Sequence, residues 1–261
     1  MAGSSDKIPK KIEKVESWMF RVSGENPALL FSVSILLVIG FIFSLLNLYI
    51  FLLFFIGGVV YVRLQHTQYM GNAVRVHSNQ FPEIYEIFKS YAIKLGIPKA
   101  ALYIVQDPYL NAYTIGMLQC SIVLTSALIE QFSPEEISFV IAHELGHFKA
   151  GHTKITTLIN PIGVNNVFAY FIFGFWDRKT EYSCDRCGLI LTRDIDNAIS
   201  SLIKLSVGGE LFKKLNIKGY ATQVKKAIES PIKLSEIFVS HPLTINRIEQ
   251  LIVFWRESFV E

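Results

Sequence analysis

Five residues, His-Glu-Leu-Gly-His at 143–147, have the types and the spacing of a metal site. On a helix, residues i and i+4 share a face, so His143 and His147 can bind one zinc ion. Glu144 lies between them and can reach a water molecule at the metal as a general base. The pattern therefore predicts zinc as the cofactor and metal-assisted hydrolysis as the reaction class.

The segment around these residues has strong helix signals. Ser133 is a candidate N-cap, Pro134 fits the first helical position and Glu136 completes a capping box. The helix is predicted to run to about Lys149, where Gly151 can stop it. A core helix that carries two histidines by chance is the alternative, since short patterns recur by chance. The apolar stripe that would bury the helix comprises Ile137, Val140, Ile141, Leu145 and Phe148.

A catalytic zinc usually has three protein ligands and an open position for water, so a third ligand must come from elsewhere. His152 follows Gly151 directly and is predicted to point away. Glu181 is the better candidate because it lies on a new helix, 34 residues after His147. Asp185, four residues later on the same face, can orient a ligand by a hydrogen bond. The alternative is that both carboxylates lie on the surface.

A long uncharged segment precedes these motifs. Leu29 to Val62 contains no Asp, Glu, Lys, Arg or His in 34 residues. One membrane-spanning helix needs about 20 apolar residues. The segment therefore predicts a tight transmembrane hairpin, Leu29–Leu46 and Leu48–Val62, with a polar turn at Asn47. A buried core hairpin in a soluble protein is the alternative.

Basic residues flank the apolar segment on both sides. Because positive residues favour the cytoplasmic face, a hairpin places both flanks and the catalytic part in the cytoplasm. The predicted divisions are a basic N-terminal segment at 1–28, the hairpin at 29–62 and a zinc metallopeptidase domain at 63–261. The flanking residues are Lys7, Lys10, Lys11, Lys14 and Arg21 before it, and Arg63 and Arg75 after it.

Composition and cysteine usage exclude several classes of protein. The net charge is only +3 and no basic cluster is dense, so no nucleic-acid partner is predicted. The three cysteines form no framework of paired spacings, which argues against a disulfide-stapled secreted domain. Cys184 and Cys187 form a CxxC without a second pair, and two ordinary thiols on a helix are predicted.

The remaining pattern predicts a mainly α protein with a small antiparallel β-sheet. We therefore expect an α+β zincin-type catalytic domain with an N-terminal transmembrane helical hairpin. Apolar spacing predicts a helix over 81–95, and short runs predict strands at Ala101–Val105, Ala112–Ile115 and Ser121–Thr125, the last two paired. Further helices are predicted at about 180–192, 196–206, 220–229 and 242–257.

Residues 155–176 are apolar but interrupted by polar and turn-forming residues. If His147 and Glu181 bind one metal, the segment must return to where it began. Two crossings need about 40 residues, but only 28 lie between His152 and Glu181. We therefore expect a bent excursion that covers the zinc rather than a membrane span.

Four motifs resemble those of a known family. They are 143–147, the Glu-x-x-x-Asp at 181–185, the His-Pro-Leu-Thr-Ile-Asn-Arg at 241–247, and the Asn-Ala-Tyr at 111–113. Together they are similar to the integral-membrane metallopeptidases grouped as HtpX-like proteases and CAAX prenyl endopeptidases. The resemblance covers roughly residues 63–254. It implies a gluzincin, in which His143, His147 and Glu181 hold zinc and Glu144 is the base.

The resemblance also gives roles to neighbouring residues. His241 is the candidate donor to the oxyanion, and Pro242 would fix its backbone at a helix start. Arg247 is expected to support His241 or to pair with Asp185. The substrate-binding candidates are Asn111, Ala112 and Tyr113, in an edge strand at Asn111–Ile115 that can pair with extended substrate. No role is predicted for His66, His77 or His152, and the first two are expected to face solvent.

The expected function is a membrane-anchored zinc metalloendopeptidase with one Zn²⁺ per chain. Its expected partners are polypeptide substrates, including misfolded membrane proteins in quality control, and the lipid bilayer. The chain has too few residues for the two further spans that HtpX-like members carry, so an HtpX-like protease of reduced membrane content is favoured. The alternatives are a CAAX-type prenyl-protein peptidase and a non-catalytic zinc scaffold; the intact Glu144 argues against the scaffold.

Overall fold

The fold, taken from a computed structural model, combines helices with one small sheet. It describes residues 8, 12–116, 119–159, 167–216, 219–220, 222–223 and 242–260. In chain order the elements are α1 (Glu25–Asn72), β1 (Val74–Arg75), α2 (Pro82–Lys94), β2 (Ala100–Val105), β3 (Ala112–Ile115), β4 (Cys120–Thr125), α3 (Ser126–Gln131), α4 (Pro134–Ala150), α5 (His152–Ile159), α6 (Val167–Thr192), α7 (Ile195–Val207), α8 (Gly209–Phe212) and α9 (Thr244–Phe259).

Helix α1 replaces the predicted hairpin. It is one continuous helix of 48 residues, so the predicted turn at Asn47 is wrong. Asn47 lies between two leucines, which favour helix, and no proline occurs between Pro27 and Pro82. A turn inside an apolar segment would also leave backbone polar groups without partners. A single polar residue is therefore too weak a signal to end the helix.

Both ends of α1 contact the rest of the domain. Glu25 at its start bonds His152, and Val74 just after its end pairs with Ile104 in β2. The start of α1 and the strand that follows its end are therefore both in contact with the rest of the domain.

The first turns of α1 are anchored on α6. Ala28 packs in a small cluster with Ile172 and Trp176, and the Ser32 hydroxyl donates to the Ile172 carbonyl. Farther along, α1 is exposed: only 17% of the stretch Glu25–Ile42 is buried, although its length and composition allow it to cross a membrane. The exposed apolar residues include Leu30, Phe31, Leu37, Val38, Phe41 and Ile42.

The segment before α1 belongs to the main core. Val15 and Phe20 are fully buried in the same apolar cluster as Leu145 of α4. The Arg21 guanidinium also donates to the Ala150 carbonyl at the end of α4. The described chain before the apolar run is therefore part of the structure around α4.

The sheet is mixed rather than antiparallel. Its strand order is β1-β2-β4-β3. The predicted antiparallel pair of β3 and β4 is confirmed, but β2 and β4 are parallel. All six residues of β4 are buried, as expected of a central strand covered on both faces. Sequence patterns located the strands but did not show that β4 inserts between β2 and β3, which leaves β3 at an edge.

Helix α4 confirms the predicted boundaries. The Ser133 hydroxyl accepts a hydrogen bond from the Glu136 backbone N–H, and the Glu136 carboxylate accepts one from the Ser133 backbone N–H, which completes the capping box. Gly151 ends the helix in a left-handed conformation. The helix is buried on almost all sides between the sheet and α6. Such burial restricts the side chains that it carries.

Helices α4 and α6 approach closely because small residues lie between them. A Cβ on Gly146 would lie 2.9 Å from the Cys187 Cβ, and one on Gly188 would lie 2.6 Å from the Phe139 ring. Both distances are too short for a real contact. Glycine at these two positions therefore sets the spacing between the helices that carry the predicted metal ligands.

The bent excursion expected for 155–176 stays a prediction, because its middle is not described. Helix α5 ends at Ile159 and α6 begins at Val167, and α6 packs on α1 through Ile172 and Trp176. Residues 160–166 lie outside the described residues, as does most of the predicted helix 220–229. The helices predicted at 81–95, 196–206 and 242–257 are confirmed within two residues at each end.

The close approach of α4 and α6 can be tested by adding one methyl group. Gly188→Ala should lower the free energy of unfolding by about 1–3 kcal/mol, because the Phe139 ring is fully buried and cannot move aside. Gly174→Ala is the control on the same helix, where the nearest atom is the mobile end of Arg178. Chemical denaturation measures both. Equal stability of the two variants would contradict the close packing.

Candidate metal centre

Three side chains from α4 and α6 converge on one point. The Nε2 atoms of His143 and His147 lie 3.2 Å apart. Glu181 places Oε2 at 3.6 Å from His143 Nε2 and Oε1 at 3.5 Å from His147 Nε2. The structure thus brings together the three predicted ligands: the two Nε2 atoms lie 3.2 Å apart, and each has one Glu181 oxygen at 3.5–3.6 Å.

The spacing of these donor atoms is compatible with a zinc ion. Zinc lies about 2.0–2.2 Å from nitrogen and oxygen ligands, which separates two ligands of a tetrahedron by about 3.3–3.5 Å. The observed distances agree with that spacing, and two neutral imidazoles with one carboxylate are a common zinc donor set. The fourth position remains available for water or substrate. His143, His147 and Glu181 can therefore hold a catalytic zinc ion.

Asp185 fixes the orientation of His143. Its Oδ1 lies 3.0 Å from His143 Nδ1, in the geometry of an N–H donor to a carboxylate. With the proton on Nδ1, the lone pair of Nε2 is directed at the metal position. The hydrogen bond between His143 and Asp185 is the geometric basis for the predicted orienting role of Asp185.

Arg247 joins α9 to the two carboxylates of α6. Its Nε and Nη2 atoms donate to the two Asp185 oxygens at 2.8 and 2.6 Å, and Nη1 lies 3.3 Å from Glu181 Oε2. Burial opposes ionisation of Asp185, but the Arg247 charge and hydrogen bonds, with that from His143, hold the Asp185 pKa below its usual value. The pairing expected between Arg247 and Asp185 is present.

Glu144 faces the neighbouring sheet and has a partner that the sequence did not indicate. The Thr114 hydroxyl of β3 lies 2.7 Å from Glu144 Oε2 and 2.9 Å from the Glu144 carbonyl oxygen. Glu144 is only 7% exposed, so this contact restricts its carboxylate. The edge strand and the candidate base are therefore directly linked.

His152 points toward the site, so the prediction that it points away is wrong. Its Nδ1 lies 3.3 Å from His147 Nδ1, and its Nε2 lies 3.0 Å from Glu25 Oε1. Burial lowers the pKa of His152 to about 4, so the ring is neutral at neutral pH. Gly151 reverses the chain, and α5 begins at His152 itself, which turns the side chain back to α4.

The two cysteines of the CxxC are buried thiols that form no disulfide. Burial raises the pKa of both Cys184 and Cys187, so neither is a ready thiolate. Cys187 packs against Gly146, whereas Cys184 Sγ lies 3.5 Å from His152 Nδ1. Cys184, His147 and His152 form the other group of described residues whose donor atoms are close enough for a metal.

The remaining predicted residues lie as follows. Asn111, Ala112 and Tyr113 lie at the start of β3, on the edge of the sheet, and Asn111 exchanges hydrogen bonds with Thr125 of β4. His241 lies outside the described residues, as does the side chain of His66. His77 is exposed as expected.

Three residues near the site were missed for identifiable reasons. Thr114 shares the strand face of Ala112, but a short strand pattern does not identify its contact across to α4. Glu25 borders the apolar run, where a carboxylate would ordinarily face solvent. His152 was set aside because a glycine precedes it, although a glycine at a helix end is also what allows the chain to turn back.

A protein family and several known proteins are similar to this chain in sequence. A model of the family described as peptidase family M48 matches residues 78–171 and 159–252. The plastoglobule-localized metallopeptidase 48 of Arabidopsis thaliana is 30% identical over 207 residues, which cover 70% of this chain. The chain spans 59% of that relative's length.

Bacterial and yeast proteins are also similar. The protease HtpX homolog of Tropheryma whipplei strain Twist is 24% identical over 224 residues, covering 70% of this chain and 76% of the relative. The crystal structure of S. mikatae Ste24p superposes with a TM-score of 0.55 at 18% identity, covering 90% of this chain and 68% of that one. At this identity the superposition shows a shared fold.

The role of Asp185 can be tested by removing its charge. Asp185→Asn should weaken zinc binding by about 10- to 100-fold, because His143 loses a charged acceptor and Arg247 loses its partner. Competition with a chromogenic chelator measures the dissociation constant. Asp196→Asn, at an exposed position on α7, is the control and should leave zinc binding unchanged. Unaltered affinity in Asp185→Asn would contradict the orienting role.

Proposed function

The chain belongs to peptidase family M48, a family of zinc metallopeptidases, and we propose that it is a membrane-anchored endopeptidase whose single zinc ion is held by His143, His147 and Glu181. The observation that carries the proposal is the cluster of His143, His147 and Glu181 donor atoms on α4 and α6, with neighbouring atoms 3.2–3.6 Å apart. The fit of this cluster to zinc and the adjacent carboxylate of Glu144 support peptide-bond hydrolysis over a structural metal site.

Glu144 is the proposed general base. It takes a proton from the attacking water and then delivers it to the leaving amine, so that one carboxylate serves both halves of the reaction. When bound, zinc supplies Lewis-acid chemistry that activates water near neutral pH and polarises the substrate carbonyl. The Thr114 hydroxyl holds the Glu144 carboxylate in place between these two transfers.

His241 is the proposed donor to the oxyanion of the tetrahedral intermediate. Support comes from the chain beside it: Arg247, six residues later, reaches Asp185 and Glu181 in the site. Arg247 is proposed to hold the α6 carboxylates in position, which keeps the ligand Glu181 and the orienting Asp185 ionised and directed inward.

The edge strand β3 is the proposed docking site for substrate. Its outer edge is not paired with another described strand, so an extended polypeptide can add to the sheet there through main-chain hydrogen bonds. Asn111, Ala112 and Tyr113 would contact such a strand, and Thr114 beside them contacts Glu144. Main-chain recognition fits a broad range of polypeptide substrates.

The proposed location is a membrane, with the catalytic part in the cytoplasm. The exposed apolar face of α1 supports insertion, and both ends of α1 contact the catalytic part. Glu25 at the start of α1 contacts His152, which supports placing the catalytic part on the same side as Lys14 and Arg21 before the helix. The positive-inside rule favours the cytoplasm for that side. Misfolded membrane proteins are the proposed substrates, because the site adjoins the start of the membrane helix.

Removing the base tests the mechanism. Glu144→Gln should reduce casein cleavage by about 10²- to 10⁴-fold, because the amide has a similar shape but cannot take a proton. Its zinc content, measured by atomic absorption, should stay at one ion per chain. Glu135→Gln, exposed in the first turn of the same helix, is the control and should cleave normally. Normal cleavage by Glu144→Gln would refute the mechanism.

A single charge tests membrane insertion. Leu37 is 67% exposed in the middle of the candidate span, so Leu37→Arg should cost about 2.5–3.5 kcal/mol of insertion free energy. More of this variant than of the unsubstituted chain should be released from membranes by alkaline carbonate. Leu211→Arg, also exposed but on α8, should remain in the membrane fraction. A full chain that is soluble without detergent would contradict membrane anchoring.

A further inference from the structure

Two buried side chains connect the candidate metal ligand His147 to the start of α1. His152 Nδ1 lies 3.3 Å from His147 Nδ1, and His152 Nε2 lies 3.0 Å from Glu25 Oε1. His152 and Glu25 are each 2% exposed, so water does not compete for these contacts. The proposed hydrolysis uses neither of them.

Metal binding by His147 determines which ring nitrogens of His147 and His152 carry a proton. When Nε2 of His147 is a ligand, the remaining ring proton is on Nδ1, which faces His152. His152 must then accept at Nδ1 and carry its own proton on Nε2, which faces the Glu25 carboxylate. Each N–H thus has an acceptor, and the hydrogen bonds run in one direction from the metal position to Glu25.

Glu25 is itself held by other groups. The Ser183 hydroxyl of α6 donates to Oε2, and Arg21 Nε lies 3.2 Å from Oε1. Ser183 also accepts from the Val22 backbone N–H at 3.0 Å. The carboxylate is therefore fixed where the chain entering α1 meets α6, and it is not a freely rotating surface group.

We propose that Glu25 and His152 are positioning residues that hold the His147 imidazole in its zinc-binding tautomer and orientation. The membrane helix α1 thereby contributes a residue to the metal site and is more than an anchor. A carboxylate behind a ligand histidine raises the basicity of that ligand, and here the effect is passed through a second imidazole. This inference rests on the proposed function, because it requires His147 to bind zinc.

Cys184 adds a second contact to Nδ1 of His152. Its thiol lies 3.5 Å from His152 Nδ1 and can donate a weak hydrogen bond there, parallel to that from His147. A metal held by Cys184, His147 and His152 would need the Nδ1 lone pair of His147. That imidazole would then have no proton while Nε2 also bound zinc. One metal ion per chain is therefore expected, with Cys184 as a neighbour.

Zinc affinity and the cobalt spectrum of the full chain in detergent test the proposal. His152→Ala and Glu25→Gln should each raise the zinc dissociation constant by about 10- to 100-fold in chelator competition. His152→Asn keeps an acceptor near the Nδ1 position and should bind zinc more tightly than His152→Ala. The d–d absorption bands of the Co²⁺-loaded chain should shift in Glu25→Gln, because the field of the His147 ligand changes.

Ser32→Ala is the matched control for a purely structural effect. It removes a buried hydrogen bond between α1 and α6, from Ser32 to the Ile172 carbonyl, without contacting His152 or Glu25. The metal-free variant should unfold at a lower temperature than the unsubstituted chain. Its zinc dissociation constant and cobalt spectrum should be unchanged.

Three results would overturn the positioning role. They are unchanged zinc affinity in both His152→Ala and Glu25→Gln, an equal loss of affinity in Ser32→Ala, and two zinc ions per chain that fall to one in Cys184→Ser. Failure of the proposed function is distinct: the unsubstituted chain would bind no zinc, or Glu144→Gln would cleave casein normally. A chain that binds zinc and depends on Glu144, with His152 dispensable, would refute the positioning role alone.

Discussion

The close contact between α4 and α6 is the constraint on which the candidate site depends. Gly146 and Gly188 leave no side chain between the two helices, and Cys187 and Phe139 fill the space beside them. Because the backbones approach so closely, Glu181 of α6 brings its oxygens within 3.6 Å of both ligand histidines. Zinc–ligand bonds tolerate displacements of only a few tenths of an ångström, so any wider spacing would separate the ligands.

Buried charges join the other elements to this helix pair. Arg247 links α9 to Asp185, Lys204 links α7 to Glu136 at 2.6 Å, and Arg21 links the entering chain to Glu25. A buried charge without a partner is costly, so each pair favours the arrangement of helices in which both members meet. Two of these carboxylates also reach the metal site: Asp185 contacts the ligand His143, and Glu25 contacts His152 beside the ligand His147. Stability of the helix arrangement and geometry of the site therefore depend on the same contacts.

Sequence patterns predicted the features that depend on residues close together in the chain. They did not predict the features that depend on contacts between distant segments. The capped helix α4, the ligands His143 and His147 and the pair of strands β3 and β4 all follow from spacing within about 20 residues. Glu181 could be proposed because catalytic zinc needs a third ligand and family resemblance favoured it. The position of β4 between β2 and β3 could not be predicted, because contacts between distant elements determine it. The contacts of Glu25 and Thr114 were missed for the same reason.

The bond from Thr114 to Glu144 has a consequence for how a cleavage position would be chosen. A polypeptide paired with β3, as proposed, would advance along that strand in steps of two residues, since its side chains alternate between faces. Thr114 is a fixed point on the strand and contacts the group that transfers the proton. The scissile bond would then be selected by its register relative to the residue paired near Thr114. Such a peptidase would choose its cleavage position through main-chain pairing more than through the identity of particular side chains.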